Sequence, residues 1–211
     1  MPNNWFMLLL LAVFFACVGC GRSEPIVEIA LHPSKPHILY IATNSYIYKS
    51  RDEGQTWSNI SQGMSHSRVI TLAIDPLFSA NIYAGTKGDA VFKSFNGGQN
   101  WISKRAGLED VTISSVVHQL VFSPGSSRHF YAATSMGVFE TETGGDTWLK
   151  KMDGMKEVLM VISLAIDPNQ PQTLYAGTSG GVYKSLNGGD WWEKANNGLV
   201  APEVLKSSRA L

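Results

Sequence analysis

SRDEGQTW, running from Ser50 to Trp57, is written again as SFNGGQNW (Ser94 to Trp101), TETGGDTW (Thr141 to Trp148) and SLNGGDWW (Ser185 to Trp192). The closing tryptophans stand 44, 47 and 44 residues apart. A fixed period of that size means stacked or radially arranged units, each unable to bury its apolar face alone. The phrase also has a mechanical reading. Its third residue, Asp52, Asn96 or Asn187, is a short polar side chain that bonds the backbone two residues on and folds a turn. The glycine two places later (Gly54, Gly98, Gly145, Gly189) permits positive φ at the tightest point. Each tryptophan starts the returning strand and is expected to bury its ring between its own sheet and the next. Two copies depart from the pattern: Thr143 replaces Asp or Asn in the third, and Trp191 takes the usual Thr position in the fourth.

The repeat extends outward from the phrase. Ahead of each copy stands an apolar run ending in a Pro turn: IVEIALHP (Ile26 to Pro33), VITLAIDP (Val69 to Pro76), VVHQLVFSP (Val116 to Pro124) and VISLAIDP (Val161 to Pro168). A short aromatic strand ending in Thr43, Thr86, Thr134 or Thr178 follows, then a third strand (YIYKS, AVFKS, GVFET, GVYKS) that runs into the phrase. Runs rich in Val, Ile, Tyr, Phe and Thr, punctuated by Gly, Pro, Asn and Ser, read as strands joined by hairpins. Four strands per unit make an all-β propeller of four visible blades, spanning 26–62, 68–106, 115–153 and 160–197 within a domain of 26–200. No segment outside the N-terminus sustains a helical apolar period, so helix is not expected there.

The pattern S/T-x-D/N-x-G-x-x-W resembles the Asp-box, or BNR, repeat of sialidases and sortilin-type propellers. The text around the fourth copy, LAIDPxxPxxLYAGTxxGVYKSxNGG, is similar to propellers of the photosystem II stability and assembly-factor type. The resemblance covers Ile26 to about Asn197. It implies an assembly-factor-like role, yet such factors present an arginine patch, and the arginines here are sparse and scattered.

Residues 1–19 read as a secretory signal peptide, with an uncharged apolar stretch shorter than the roughly 20 residues a membrane span needs. Val18-Gly19-Cys20 resembles a bacterial lipoprotein cleavage box, which makes Cys20 the expected lipidation site and residues 20–25 a linker. The chain is then exported and tethered by a lipid, facing the periplasm or exterior. Lys and Arg number 17, as do Asp and Glu. That zero net charge gives no electrostatic case for nucleic acid or an anionic membrane surface. Residues 201–211 fall where a fifth blade would begin, but the LAIDP pattern has decayed there. Three readings stay open: a closed four-blade ring, half of an eight-blade homodimer, and a truncated product.

Catalytic expectations are negative. Sialidase chemistry, as the resemblance implies, needs three arginines around a carboxylate, and the six present (Arg22, Arg51, Arg68, Arg105, Arg128, Arg209) place only Arg68 near an inner strand. Asp75 and Asp167 recur at equivalent Pro turns, which marks turn formers. Glu28, Glu109 and Glu157 are unpaired, and the histidines have no metal spacing. No cofactor fingerprint appears. With the inner strands in register, Glu28, Thr71, Gln119 and Ser163 occupy one position, a candidate polar ring lining the channel. The loops joining blades, from Gly63 to Arg68, Gly107 to Ser115 and Gly154 to Met160, vary as binding loops do. The expected function is a non-catalytic exported scaffold presenting these loops to a protein or glycan. A glycoside hydrolase of sialidase or xyloglucanase type, or a degenerate relative, is the alternative.

Overall fold

A computed structural model describes residues 24–64, 67–108, 115–155 and 160–199. The signal and lipidation expectations, Cys20 included, lie outside the described residues, as do Arg22, Glu109, Glu157, Arg209 and 201–211. The described residues hold four antiparallel four-stranded sheets and no helix. The first blade comprises β1 (Ile26–Leu31), β2 (Leu39–Thr43), β3 (Ile47–Ser50) and β4 (Ser58–Asn59). The second comprises β5 (Arg68–Ile74), β6 (Ile82–Lys87), β7 (Val91–Ser94) and β8 (Ile102–Lys104). In the third are β9 (Val117–Phe122), β10 (Phe130–Thr134), β11 (Gly137–Thr141) and β12 (Leu149–Lys150). In the fourth are β13 (Val161–Ile166), β14 (Leu174–Thr178), β15 (Gly181–Ser185) and β16 (Glu193–Lys194). Each is an up-and-down meander in chain order. The fold is a β-propeller, and the blades form an open arc. The inner strands neighbour one another in the order β1, β5, β9, β13, and β13 makes no comparable contact back to β1.

The eight-residue phrase folds each outer turn in the same way. The opening hydroxyl accepts the glycine N–H: Gly54 N to Ser50 Oγ at 2.8 Å, Gly98 to Ser94 at 2.9 Å, Gly145 to Thr141 at 3.0 Å and Gly189 to Ser185 at 2.9 Å. The third residue accepts from the seventh, with Thr56 N on Asp52 at 2.9 Å, Asn100 N on Asn96 at 3.0 Å and Trp191 N on Asn187 at 3.0 Å. Thr143 does the same job through its hydroxyl, accepting from Thr147 N at 2.8 Å. A departure in sequence is therefore no departure in structure. The threonine ending each aromatic strand ties the next turn, donating to the carbonyl of Tyr46, Ala90, Gly137 or Gly181.

The core lies between blades. One apolar cluster joins the first two sheets, a second joins the middle pair and a third joins the last two. In each, the apolar residue after the polar register position (Leu72, Leu120, Leu164) points back to the preceding blade. The phrase tryptophan joins it, with Trp101 and Trp148 5 % exposed and Trp192 1 %. Each buried indole contributes on the order of 3 kcal/mol. Trp57 differs at 39 % exposed, because none of the described residues forms a sheet against the back of the first blade.

A main-chain joint and a polar clasp complete each interface. The tryptophan N–H donates to the loop of the preceding blade: Trp101 to Gln62 O at 3.2 Å, Trp148 to Ala106 O at 2.9 Å and Trp192 to Asp153 O at 2.9 Å. Tyr and Lys, paired across the second and third strands (Tyr40 with Lys49, Tyr83 with Lys93), reach the next blade's turn. Lys49 Nζ donates to Gly97 O at 3.2 Å, Lys93 Nζ and Tyr83 Oη to Gly144 O at 3.0 and 3.1 Å, and Tyr131 Oη to Gly188 O at 3.1 Å. Burial holds the Lys49 and Lys93 ammonium groups below the usual lysine range and pushes the Tyr83 and Tyr131 phenols up.

Candidate functional site

The turn between β2 and β3 and the loop leaving β4 meet at one mouth of the first two blades. Thr43 shapes the turn, accepting from Tyr46 N at 3.0 Å, so that Asn44, Ser45 and Tyr46 project from its tip. Ser61 pins the loop, its hydroxyl accepting Ile47 N at 2.7 Å. Gly63 lies against the Trp101 main chain, and Met64 and Ser67 are buried beneath it. Between these segments opens a groove of about 1000 Å³ lined by Asn44, Ser45, Tyr46, Asn59, Ser61, Gln62, Gly63, Met64, Ser67 and Arg68.

Its chemistry is neutral and hydrogen-bonding, with one cation. Arg68 Nε donates to Asn44 Oδ1 at 2.9 Å, which engages one of five guanidinium donors and fixes the side chain across the mouth. Ser67 Oγ donates to Asp89 at 2.9 Å. Tyr46 is exposed and packs edge-on against Tyr48, with centroids 6.1 Å apart. Glu24 ties the turn from outside by accepting both the hydroxyl and N–H of Ser45, and the hydroxyl bond holds its carboxyl below the usual carboxylate range. Three amides, three hydroxyls, a phenol and a guanidinium thus face one groove.

The register-matched polar residues lie elsewhere, on the inner strands. Glu28, Thr71, Gln119 and Ser163 pair respectively with Ala42, Gly85, Ala133 and Gly177, so all four occupy one register position. Two bonds between blades engage three of them: Thr71 Oγ1 donates to Glu28 at 3.4 Å, and Leu164 N donates to Gln119 Oε1 at 2.7 Å. The side chains of Glu28, Thr71 and Gln119 therefore reach from blade to blade. The turn carboxylates are structural, Asp75 accepting Leu77 N, Phe78 N and Asn81 Nδ2, and Asp167 accepting Asn169 N and Gln170 N.

Spacing in sequence did not foresee one cluster. Pairing of β10 with β11 brings His129 Nε2 to 2.8 Å from Glu140, with Glu142 nearby, so that three donor atoms lie within 4.8 Å. Lys151 Nζ sits 3.1 Å from the other Glu140 oxygen and also pairs with Asp190 of the next blade. A cation there would meet that ammonium, so the group reads as an interblade ion-pair network.

No family model matches the chain. It is 30% identical over 84 residues to a xyloglucanase of Hypocrea jecorina (strain QM6a), which covers 38% of this chain and 10% of that protein. Among solved structures, it superposes on an ancestral GH74 enzyme with a TM-score of 0.68 at 24% identity, covering 83% of this chain and 24% of that one. YCF48 from Cyanidioschyzon merolae gives a TM-score of 0.53 at 16% identity, over 83% of this chain and 57% of its own. The chain thus spans a tenth of the curated relative and about a quarter of the GH74 structure. These likenesses share the propeller fold.

Proposed function

We propose that this chain is a non-catalytic, exported propeller of the Asp-box lineage whose groove at the first two blades binds a neutral glycan. The observation that carries the reading is the lining itself. Amides, hydroxyls and an exposed tyrosine suit a polyhydroxylated ligand, since sugar hydroxyls pair with Asn44, Asn59 and Gln62 while a ring face stacks on Tyr46. Hydrolysis of a glycoside needs two carboxylates across a cleft, and the described residues lining this groove supply none. Fold likeness alone leaves function open, because one propeller scaffold serves enzymes and binders alike. The match to a xyloglucanase points to a β-glucan as the first ligand class to test, and it also favours the second reading, a glycoside hydrolase.

Calorimetric titration with xyloglucan oligosaccharides and a panel of neutral glucans is the direct test. A saturable heat is expected, with Tyr46→Ala and Arg68→Ala each weakening binding by about tenfold, equivalent to about 1.4 kcal/mol. Absence of binding across the panel refutes the glycan reading. Turnover of any of these substrates establishes the hydrolase instead.

A further inference from the structure

At the end of the strands opposite the groove, the Pro turn of the first blade meets the Pro turn and the phrase of the second. They enclose a pocket of about 340 Å³ whose polar lining is His32, Lys35, Tyr40, Lys49, Ser79 and Asn96. All six can donate a hydrogen bond, and no carboxylate lines the space. Lys49 Nζ uses one donor on Gly97 O at 3.2 Å and lies 4.9 Å over the Tyr40 ring, which fixes it at the wall. His32 is 9 % exposed, and its Nδ1 accepts Ser34 N–H at 3.3 Å, which leaves Nε2 as the donor.

The next interface is an internal control. Lys93 takes the place of Lys49 in the second blade, where Asp146 of the following phrase and Asp75 of its own Pro turn balance Lys104 and Arg128. Phe95 covers Lys93, with Nζ 4.5 Å from the ring centroid. At the three matching positions around Lys49 stand Gln99, His32 and Arg51. Each exchange removes a carboxylate or an apolar cover, and two of them bring a basic group. In the third blade Glu140 replaces the lysine, and Lys151 and His129 pair with it. The first interface alone of the three therefore lacks its own counter-charge. Burial, then Arg51 and Lys35, holds the Lys49 ammonium below the usual lysine range. Burial, then Lys35, Lys49 and His37, lowers the His32 imidazole in the same way. Among the described residues no ion pair engages His32, Lys35 or Lys49. Partly buried cations set side by side without a partner are unfavourable, and an anion placed between them relieves the repulsion.

We propose that this pocket binds a tetrahedral oxyanion of the phosphate or sulfate class, free or as an ester on a sugar. Lys49, Lys35 and the His32 Nε2–H approach it from the first blade, and the Ser79 hydroxyl and Asn96 amide from the second. Donors converge from both walls, which suits an anion with oxygens on every side. Two lysines match a divalent charge, and the imidazole takes up a proton as the anion arrives. The volume falls at the small end of ligand pockets, roughly 300–1,000 Å³, as a compact anionic group requires. The pocket shares no residue with the groove at the mouth, so the two sites are independent.

The full chain, held in mild detergent, is titrated calorimetrically with inorganic phosphate, inorganic sulfate and glucose 6-phosphate in a chloride buffer near neutral pH. Saturable heat is expected with at least one of the three. Lys49→Met keeps the stem over Tyr40 and removes the charge, and should weaken binding about tenfold or more. Lys35→Ala changes an exposed side chain and should weaken it about twofold to fivefold. NMR titration of the imidazoles is a second readout: the His32 pKa should rise when the bound anion is present, while that of His118 on the inner strand stays put. Should Lys49→Met fail to fold, Lys35→Ala and the His32 titration decide. Glucose 6-phosphate binding more tightly than inorganic phosphate identifies an esterified ligand, and equal or weaker binding identifies the free anion. Heat from none of the three, variants that bind as the wild type does, or a His32 titration indifferent to the anion overturns the proposal.

Discussion

Replacing Gly107 by alanine asks how hard the second and third blades are pressed together. A Cβ there would stand 1.9 Å from Trp148 O and 2.8 Å from the carbonyl carbon, well inside the 3.0 Å that Cβ atoms keep. Gly198 is the ideal comparison, since it is the matching loop glycine of the fourth blade. The two have nearly equal φ, +86° and +83°, but none of the described residues stands within 4 Å of a Cβ at Gly198. The left-handed backbone costs any L side chain about 1–2 kcal/mol at either position. Overlap with a carbonyl adds about 2–3 kcal/mol at Gly107 alone, because the obstacle is main chain and cannot rotate away. The expected destabilisation is about 4 kcal/mol for Gly107→Ala and about 1.5 kcal/mol for Gly198→Ala. Urea unfolding followed by tryptophan fluorescence reads the difference. With a slope of about 3 kcal/mol per molar, the midpoint falls by about 1.3 M in the first case and 0.5 M in the second. Equal midpoint shifts would refute the reasoning, since they would show that the blades yield freely at this joint.

Two further outcomes are expected. Asp52 is held down to about 2 from an ordinary 3.8, chiefly by the Thr56 hydroxyl and then by the Thr56 N–H. A depressed carboxylate gives stability that is complete above its unfolded value and lost as pH falls through the folded one. The melting-temperature advantage of wild type over Asp52→Asn should therefore hold at neutral pH and vanish as pH drops from 3.8 towards 2; a constant gap through that window would contradict it. Metabolic labelling with a fatty-acid analogue should mark the wild type and leave Cys20→Ala unmarked, and label retained in that variant would remove the lipid tether.

The repeated phrase made the blades legible because a turn is a local event. Hydroxyl, carboxamide and glycine act within five residues of one another, so Ser94, Asn96 and Gly98 declare the geometry without help from the rest of the chain. Even Thr143 fits, since its hydroxyl accepts the bond that Asp52 accepts elsewhere. Register was legible too: Glu28, Thr71, Gln119 and Ser163 share a position because strands count in twos. Their direction was not, since it depends on which neighbouring blade each face meets. The groove was half visible. Gly63 to Arg68 stood out as a variable loop, whereas Asn44, Tyr46 and Asn59 arrive from separate turns and converge only when the sheet forms. The Tyr–Lys clasp left a signal, an aromatic second in each second strand and a lysine before the phrase in three of four third strands. Its meaning required the cross-strand pairing that sets the two side by side. Trp57 follows the same logic, because burial of its ring depends on a further sheet that the described residues do not supply.

The joint between blades is sewn with main-chain atoms, a tryptophan N–H on a loop carbonyl. Such a seam has no side chain to lose. The residues that offer the carbonyl, Gln62, Ala106 and Asp153, share no chemistry, and the bond is the same in all three. Changing the side chain of a residue that offers the carbonyl therefore leaves the bonded atoms in place, and a blade copied or exchanged at these loops arrives with both edges ready to join. Propellers built this way are free to lengthen, shorten and recombine by whole blades while the loops at their mouths diverge, which lets one ancestral unit found many different binding surfaces.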